Sequence, residues 1–177
     1  MHSWPVRSLV LCALLASAPA RADPEGYQGG EGRPHGTTYT PPYEGPSVTV
    51  RRVTVETTIV DDRWTCDGRP TTQGTYDLVT VVLDLSNRTN YPVSSHLPLL
   101  DLVIGRDDVQ VVQGTCTRNG RPVAEADLEA KKGRRVRTQF LIPRGEVPKI
   151  LVYNDDDFPA LFALPRAKRL PAPAKRR

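Results

Sequence analysis

Histidine, cysteine and long apolar runs are all scarce in this sequence. Its 177 residues include three histidines and three cysteines. No apolar run approaches the length of a membrane-spanning helix, which is about twenty residues. A structural zinc site needs four closely spaced cysteine or histidine ligands, and His35 and His96 lie in no such cluster. We therefore expect neither a metal site of this kind nor a spanning helix in the mature chain.

Motifs for catalysis are missing as well. The sequence has no nucleophile elbow, phosphate-binding loop, paired-carboxylate motif or histidine-rich site. Cysteine catalysis needs a nearby histidine and a group that orients it, and His96 is the sole candidate for that histidine within the domain. We therefore expect no catalytic residues and no cofactor, and an uncharacterised hydrolase is kept only as an alternative.

The amino terminus has the pattern of an export signal. Arg7 precedes the apolar run LVLCALLA, and Ala20-Arg21-Ala22 provides a small-x-small cleavage site. A run of about eight apolar residues is too short to span a bilayer but has the length of a signal-peptide core. We predict that residues 1–22 are a signal peptide and that the protein is exported, either periplasmic or secreted.

Loss of this signal would remove Cys12 and leave Cys66 and Cys116 in the mature chain. Two cysteines in an oxidising compartment most simply form one disulfide, with two separate buried thiols as the alternative. Each cysteine precedes an Asp-Gly or Asn-Gly turn dipeptide, which predicts a bond between strand ends. Trp64 lies two residues before Cys66. It could pack on the disulfide, or it could be an exposed aromatic contact for a partner.

The segment from 47 to 165 has the period-two alternation of β-strands. Its first strand, VTVRRVTVETTIV, changes phase at Arg51-Arg52, which predicts a β-bulge. The segment YDLVTVVLDLS is apolar on both faces and predicts a central strand. One weakly helical stretch, VAEADLEAKKG, predicts a turn or short helical loop. Short strands separated by glycine, proline and asparagine predict an all-β domain, an antiparallel sandwich of two sheets.

The segment before this domain is rich in glycine and proline. Residues 23–46 contain no bulky side chains except tyrosines, so they cannot bury enough apolar area to offset the entropy of ordering. We predict a flexible leader in which Tyr27, Tyr39 and Tyr43 are solvated. A recognition role for these tyrosines is the alternative.

The segment after the domain is basic, and it accounts for the high isoelectric point. Residues 166–177 contain six cations and no acid, namely Arg166, Lys168, Arg169, Lys175, Arg176 and Arg177. We predict a disordered tail, for which a merely solubilising role is the preferred interpretation and binding of anionic lipid or lipopolysaccharide by charge is the candidate function. Its deletion is expected to leave thermal unfolding unchanged, and no nucleic-acid binding is expected.

Two further motifs have both a functional and a structural interpretation. The acidic cluster at 154–157 could bind calcium together with Asp61, Asp62 or Asp67. It lacks the spacing of an EF-hand, so a solvated turn is the preferred interpretation. Asn87-Arg88-Thr89 fits the acceptor pattern for N-glycosylation, and a turn at the end of a strand is again preferred.

Three segments resemble the bacterial extracellular immunoglobulin-like domain of lipoproteins and secreted antigens. They are VVLDLSNRTNYPVS, PLLDLVIGRDD and GRRVRTQFLIPRGEVPKILVY, and together they lie within residues 47–153. The resemblance implies an immunoglobulin-like sandwich outside the cytoplasm and supplies no catalytic residues, since members of the family are mostly uncharacterised. The chain lacks the family's lipobox, and its cysteine pair is not part of the family pattern.

These observations favour an exported, non-enzymatic binding or structural module of the cell envelope. Its partner would be an unknown protein or envelope component. The alternatives are a protein that acts on an anionic surface through its basic tail, and the hydrolase mentioned above.

Overall fold

The structure is a computed structural model that describes residues 32–41, 45–93, 100–105, 110–112, 114–119, 128–153 and 160–171. Regular structure in these residues is entirely β-strand, which confirms the predicted all-β class. Within the described residues no helix is long and apolar enough to cross a membrane. The predicted signal peptide, residues 1–22, lies outside the described residues.

Twelve strands are described, and they form three sheets. The first sheet has the order β1 (Thr38–Tyr39), β2 (Ser47–Val60), β5 (Gly74–Ser86) and β9 (Gly133–Ile142), with β12 (Lys168–Arg169) also beside β2. The second has the order β11 (Ala160–Ala163), β10 (Pro148–Tyr153), β6 (Leu100–Ile104) and β7 (Gln110–Val112). The third has the order β4 (Arg69–Pro70), β3 (Trp64–Cys66) and β8 (Cys116–Arg118). These strands pair antiparallel, except that β12 runs parallel to β2.

The predicted central strand is β5, which pairs with β2 along one side and with β9 along the other. Its alternate residues Val79, Val81, Leu83 and Leu85 are buried in the main core. Side chains of β6, β10 and β11 in the second sheet belong to the same cluster. The first two sheets therefore enclose one shared core, built on the period of two that the sequence shows.

The predicted bulge in β2 is confirmed at the arginine pair. Val50 pairs with Leu83, and Arg52 pairs with Val82, the next residue back along β5, so Arg51 is the extra residue in the ladder. An inserted residue of this kind lets alternation resume on the same face. Both arginines are exposed, and the valines on either side of them remain in the core.

The prediction of a flexible leader is wrong for residues 32–41, which are part of the domain. The N–H of Arg33 donates to Leu161, and Arg33 accepts from Ala163. Tyr39 is only 6% exposed and packs among aromatic rings of the second sheet. A side chain at Gly32 would clash with the backbone of β11, so this glycine permits close packing rather than disorder. Tyr27 and Tyr43 lie outside the described residues.

The prediction of a disordered tail is also wrong for residues 166–171, because this segment packs on the first sheet. Lys168 is aligned with Thr54 and Arg169 with Val55 in the parallel pairing of β12 with β2. The Nη2 of Arg169 donates to Oδ2 of Asp77 at 2.8 Å. Composition predicted disorder here because Asp77, the partner that orders the segment, is distant in sequence.

The ion pair of Arg169 with Asp77 anchors the carboxyl-terminal segment. The Asp77 side chain is fully buried, and it also accepts hydrogen bonds from the N–H of Gly145 at 3.0 Å and from the hydroxyl of Thr57 at 3.1 Å. Burial, the largest single influence, raises the pKa of Asp77, but the donors Gly145, Arg169 and Thr57 together hold that pKa below its usual value. Asp77 is therefore a buried carboxylate whose negative charge is stabilised by these three partners together.

We predict that loss of the Arg169 side chain destabilises the domain. The Arg169→Gln variant should lose about 1–3 kcal/mol of unfolding free energy, because a buried carboxylate then keeps only neutral donors. Deletion of residues 166–177 should do the same, contrary to the expectation drawn from composition. Chemical denaturation measures the loss, and Arg166→Gln, at an exposed position, is the control. Equal stability of the full-length and truncated chains would contradict this account.

The same carboxylate predicts how stability depends on pH. The pKa of Asp77 is lower in the folded chain than its usual value of 3.8. Its contribution is therefore fully present above about pH 4 to 5 and is lost as the pH falls through the folded pKa. Unfolding free energies of the native chain and Asp77→Asn, measured across acidic pH, should differ most near neutrality and converge in acid. A constant difference across this range would exclude Asp77 as the titrating group.

Candidate anion-binding site

The outer face of the first sheet, which points away from the main core, is divided into two halves. Toward one end, Leu78 and Leu141 are buried in a second apolar cluster, under the third sheet, together with Trp64. Toward the other end, the outward positions carry Asp84 on β5 and Arg135 on β9. Among the described residues, this sheet face thus changes from covered and apolar to uncovered and charged.

A carboxylate with two guanidinium groups lies at the centre of the charged half. The Nε of Arg51 donates to Oδ2 of Asp84 at 2.6 Å, and the Nε of Arg135 donates to Oδ1 of Asp84 at 2.8 Å. Arg135 makes a longer second contact from Nη2 to Oδ2, at 3.4 Å. One aspartate on the central strand therefore holds an arginine from each neighbouring strand.

The strand register explains why these three residues meet. Thr49, Asp84 and Arg135 are aligned across β2, β5 and β9, so their side chains project from the same face of the sheet. Arg51 lies two residues after Thr49 on the same face of β2, and it reaches Asp84 diagonally across the strand pair.

The charges in this cluster stabilise one another. Hydrogen bonding by Arg135, with a further contribution from Arg51, holds the pKa of Asp84 below its usual range, and Asp84 in turn raises the pKa of Arg135. The side chains of Arg51 and Arg135 remain 58% and 68% exposed. A guanidinium has five N–H donors, so most donors of both arginines still face solvent.

An open groove of about 460 Å³ surrounds the cluster. The charged residues that line it are Arg51, Arg88, Arg134, Arg135 and Asp84. Hydroxyl groups of Thr38, Thr49 and Ser86 complete most of the polar lining. Arginines thus outnumber acids in this groove, termed the arginine groove below, although Arg134 is aligned with the core residue Leu85 and projects from the opposite face of the sheet to Arg135.

Cations continue along the same face beyond the groove. Arg52 and Arg137 are aligned on either side of Val82, one row further along the sheet, and both are exposed. Lys168 is aligned with Thr54 in the parallel pairing, so it also projects on this face, while Arg169 projects toward Asp77 on the opposite face. The folded part of the tail thus adds one cation to the arginine-bearing face.

A second Arg–Asp–Arg cluster lies beside the third sheet. Asp61 accepts from Nε of Arg63 at 2.9 Å and from Nη2 of Arg118 at 3.1 Å. Hydrogen bonding by Arg63 lowers the pKa of Asp61 strongly. This cluster has the acidic Asp62 next to it. The hydrogen bonds around Asp61 resemble those around Asp84, but the neighbouring Asp62 makes the cluster at Asp61 less positively charged.

The predicted disulfide is confirmed. Cys66 and Cys116 are directly opposite each other in β3 and β8, with a Cα–Cα distance of 4.0 Å and a sulfur–sulfur bond of 2.03 Å. The N–H of Asp67 donates to Thr115, which places the cysteines at a non-hydrogen-bonded position of the ladder, where opposed side chains are closest. The bond joins paired strands, not loops alone.

Trp64 is not an exposed contact for a partner. Its side chain is 4% exposed and belongs to the cluster that contains Cys116, with Cys66 packed against it. The interpretation that Trp64 packs near the disulfide is the one the structure supports. The third sheet and this tryptophan together cover one half of the outer sheet face.

Asn87 is a structural residue at the end of β5. It is 2% exposed, and its Nδ2 donates to the carbonyl oxygens of Tyr91, Leu128 and Glu129. Its Oδ1 accepts from the N–H and hydroxyl of Thr89. The Asn-x-Thr pattern is therefore the strand-end turn that the sequence analysis preferred, because the amide that would carry a glycan is buried.

Other predicted positions are divided between exposed residues and residues outside the structure. Arg166 is exposed beside β12. Lys175, Arg176 and Arg177, the cluster at 154–157 and His96 lie outside the described residues. The structure therefore describes three of the six tail cations, and the predicted anionic-surface role of the six stays a prediction.

The arginine groove was missed by sequence reasoning. The usable signal was the pair of arginine doublets, at 51–52 and at 134–135, each at the same end of a predicted strand. Asp84 alternates with the apolar residues of the central strand and looked like an ordinary outward position. Only the pairing of β2, β5 and β9 brings these residues together.

Comparison with known proteins gives the fold and no more. Neither a protein-family model nor a curated protein matches the sequence. The crystal structure of the yjhA protein from Bacillus subtilis is similar, with a TM-score of 0.54 over 74% of this chain and 98% of that chain. The two sequences are 18% identical, so the similarity concerns the β-strand architecture and carries no site residues.

We predict that the disulfide keeps the third sheet packed on Trp64. After removal of the predicted signal, Trp64 is the sole tryptophan of the chain. The double variant Cys66→Ser/Cys116→Ser should show red-shifted tryptophan emission and lose about 4 kcal/mol of stability in the chain-entropy model. Far-UV circular dichroism should keep its β-sheet signal, because the main core is separate. Unchanged emission and stability would refute this role.

Proposed function

We propose that this protein is an exported, non-enzymatic binding module of the cell envelope, which holds an anionic envelope component in the arginine groove. The single observation that carries the proposal is the pair of exposed arginines, Arg51 and Arg135, that Asp84 holds in an open groove. Charge complementarity to an anionic surface gives such a site both affinity and a fast association rate.

The proposed architecture is the immunoglobulin-like sandwich that the sequence resembles. Support comes from two sheets that share one core and from the buried Asn87 that ends the central strand. The disulfide between Cys66 and Cys116 is compatible with an oxidising compartment outside the cytoplasm. These observations agree with the proposed export of the protein to the periplasm or the medium.

The proposal moves the principal binding surface from the tail to the sheet. Arg169 is occupied by Asp77, while Lys168 is aligned with the arginine-bearing face. Cations on a rigid sheet lose less conformational entropy on binding than cations on a free tail. The tail acting alone is the second candidate, and the experiment below separates the two.

The test compares two matched double variants. Arg51→Gln/Arg135→Gln removes two cations from the arginine groove, and Arg63→Gln/Arg118→Gln removes two cations from the similar cluster at Asp61. Each is mixed with purified lipopolysaccharide and with phosphatidylglycerol vesicles at low salt, with phosphatidylcholine vesicles as the neutral reference. Thermal unfolding of both variants establishes that they are folded.

The groove variant should bind about thirtyfold more weakly, because each cation near an anionic surface contributes about 1 kcal/mol. The control variant should bind almost as the native chain does, and added salt should weaken all binding. Removal of residues 172–177 should have the smaller effect. Equal losses in the two double variants, or a loss confined to the tail deletion, would reject the groove as the binding site.

A further inference from the structure

The arrangement around Asp84 fixes the direction of two guanidinium groups. Both Arg51 and Arg135 use Nε toward the carboxylate. When Nε is engaged with the carboxylate, the end of the planar guanidinium, with one N–H of each terminal nitrogen, points away from it. Arg51 makes no further hydrogen bond among the described residues, so both of its terminal nitrogens are available to a ligand.

Two fixed guanidinium groups suit an oxyanion with several acceptor oxygens. A phosphate group presents three terminal oxygens and can accept from both arginines at once, with bidentate geometry at either. A carboxylate offers two oxygens in one plane. In this groove Asp84 already occupies the carboxylate position between the two arginines. The remaining donors favour a ligand with more oxygens.

The charge and the size of the groove narrow the ligand further. The groove is lined by more arginines than acids and has a volume of about 460 Å³, which is within the range of small-molecule sites, roughly 300–1,000 Å³. Ser86 lines the same space and its hydroxyl can hydrogen-bond to a polyol, whereas the Thr49 hydroxyl is already hydrogen-bonded to that of Thr38 at 2.7 Å. A doubly charged head carried on a saccharide-sized group matches these features.

We propose that the arginine groove binds a phosphomonoester, as a phosphorylated saccharide or as the phosphomonoester headgroup of a lipid. This inference rests on the proposed function, because it names the chemical class of the anion held at that site. Asp84 is the positioning residue: it touches Arg51 and Arg135 and sets the geometry in which they meet the phosphate.

The experiment measures the affinity of the full mature protein for four small probes by calorimetry. The probes are glucose 6-phosphate, glucose 6-sulfate, glucuronate and inorganic phosphate. Glucose 6-phosphate should bind more tightly than the sulfate or the carboxylate of the same sugar. The Arg51→Gln/Arg135→Gln variant should lose this binding, and Arg63→Gln/Arg118→Gln should keep it.

The pH profile gives a second readout. A phosphomonoester gains its second negative charge with a pKa of about 6, whereas the groove itself is lined by arginines and by Asp84, which stays ionised. Affinity for glucose 6-phosphate should rise by up to about tenfold between pH 5 and pH 7. Affinity for glucose 6-sulfate should stay constant over that range.

Asp84→Asn separates positioning from charge. The substitution adds one positive charge to the groove, so a site that acts by charge alone would bind glucose 6-phosphate more tightly. Loss of the carboxylate that holds both arginines should instead weaken binding of glucose 6-phosphate, while thermal unfolding shows that the variant is folded. Tighter binding by Asp84→Asn would overturn the assigned role of this residue.

The outcomes also distinguish this inference from the proposed function. Binding of lipopolysaccharide through the groove without preference for phosphate over sulfate or carboxylate overturns the phosphomonoester assignment and leaves the anion site in place. Absence of groove-dependent binding to every anion overturns both. Glucose 6-phosphate is then added to protein bound to phosphatidic acid vesicles, to identify the source of the phosphate. Complete displacement of the protein from the vesicles supports one pocket shared by sugar and lipid phosphates. An affinity for glucose 6-phosphate that does not change with pH contradicts such a pocket.

Discussion

The register of β2, β5 and β9 is the constraint on which the rest of this molecule depends. Because β5 is paired along both sides, its period of two assigns every side chain to the core face or to the outer face. A slip of one residue would place the apolar face of β5 in solvent. The shared core, the cover formed by the third sheet and the arginine groove all follow from this single alignment.

Two aspartates of β5 hold arginines, and the burial of each carboxylate sets its role. Asp77 is fully buried and ties a distant chain segment to the core through Arg169. Asp84 is partly exposed and holds its two arginines at the surface, where their remaining donors can reach a ligand. The same side-chain chemistry therefore stabilises the fold at one end of β5 and organises the proposed binding surface at the other.

Local pattern predicted the strands well but not the long-range contacts. Alternation in β5 and the phase change at Arg51-Arg52 are visible within a few residues, so the central strand and the bulge could be predicted. The disulfide followed from the cysteine count. Tyr39 and Arg169 were assigned to disordered termini because their partners lie in other sheets or about ninety residues away. The groove was missed for the same reason, because the arginines that contact Asp84 lie on other strands and are distant from it in sequence.

Both ends of the described chain lie along one edge of β2, with β1 at its start and β12 near its middle. This strand has fourteen residues, and an uncovered edge of that length would present a row of free backbone donors and acceptors to other copies of the chain. The two short terminal strands interrupt that row. Segments that resemble linkers by composition thus occupy part of an edge to which a strand of another copy could otherwise pair.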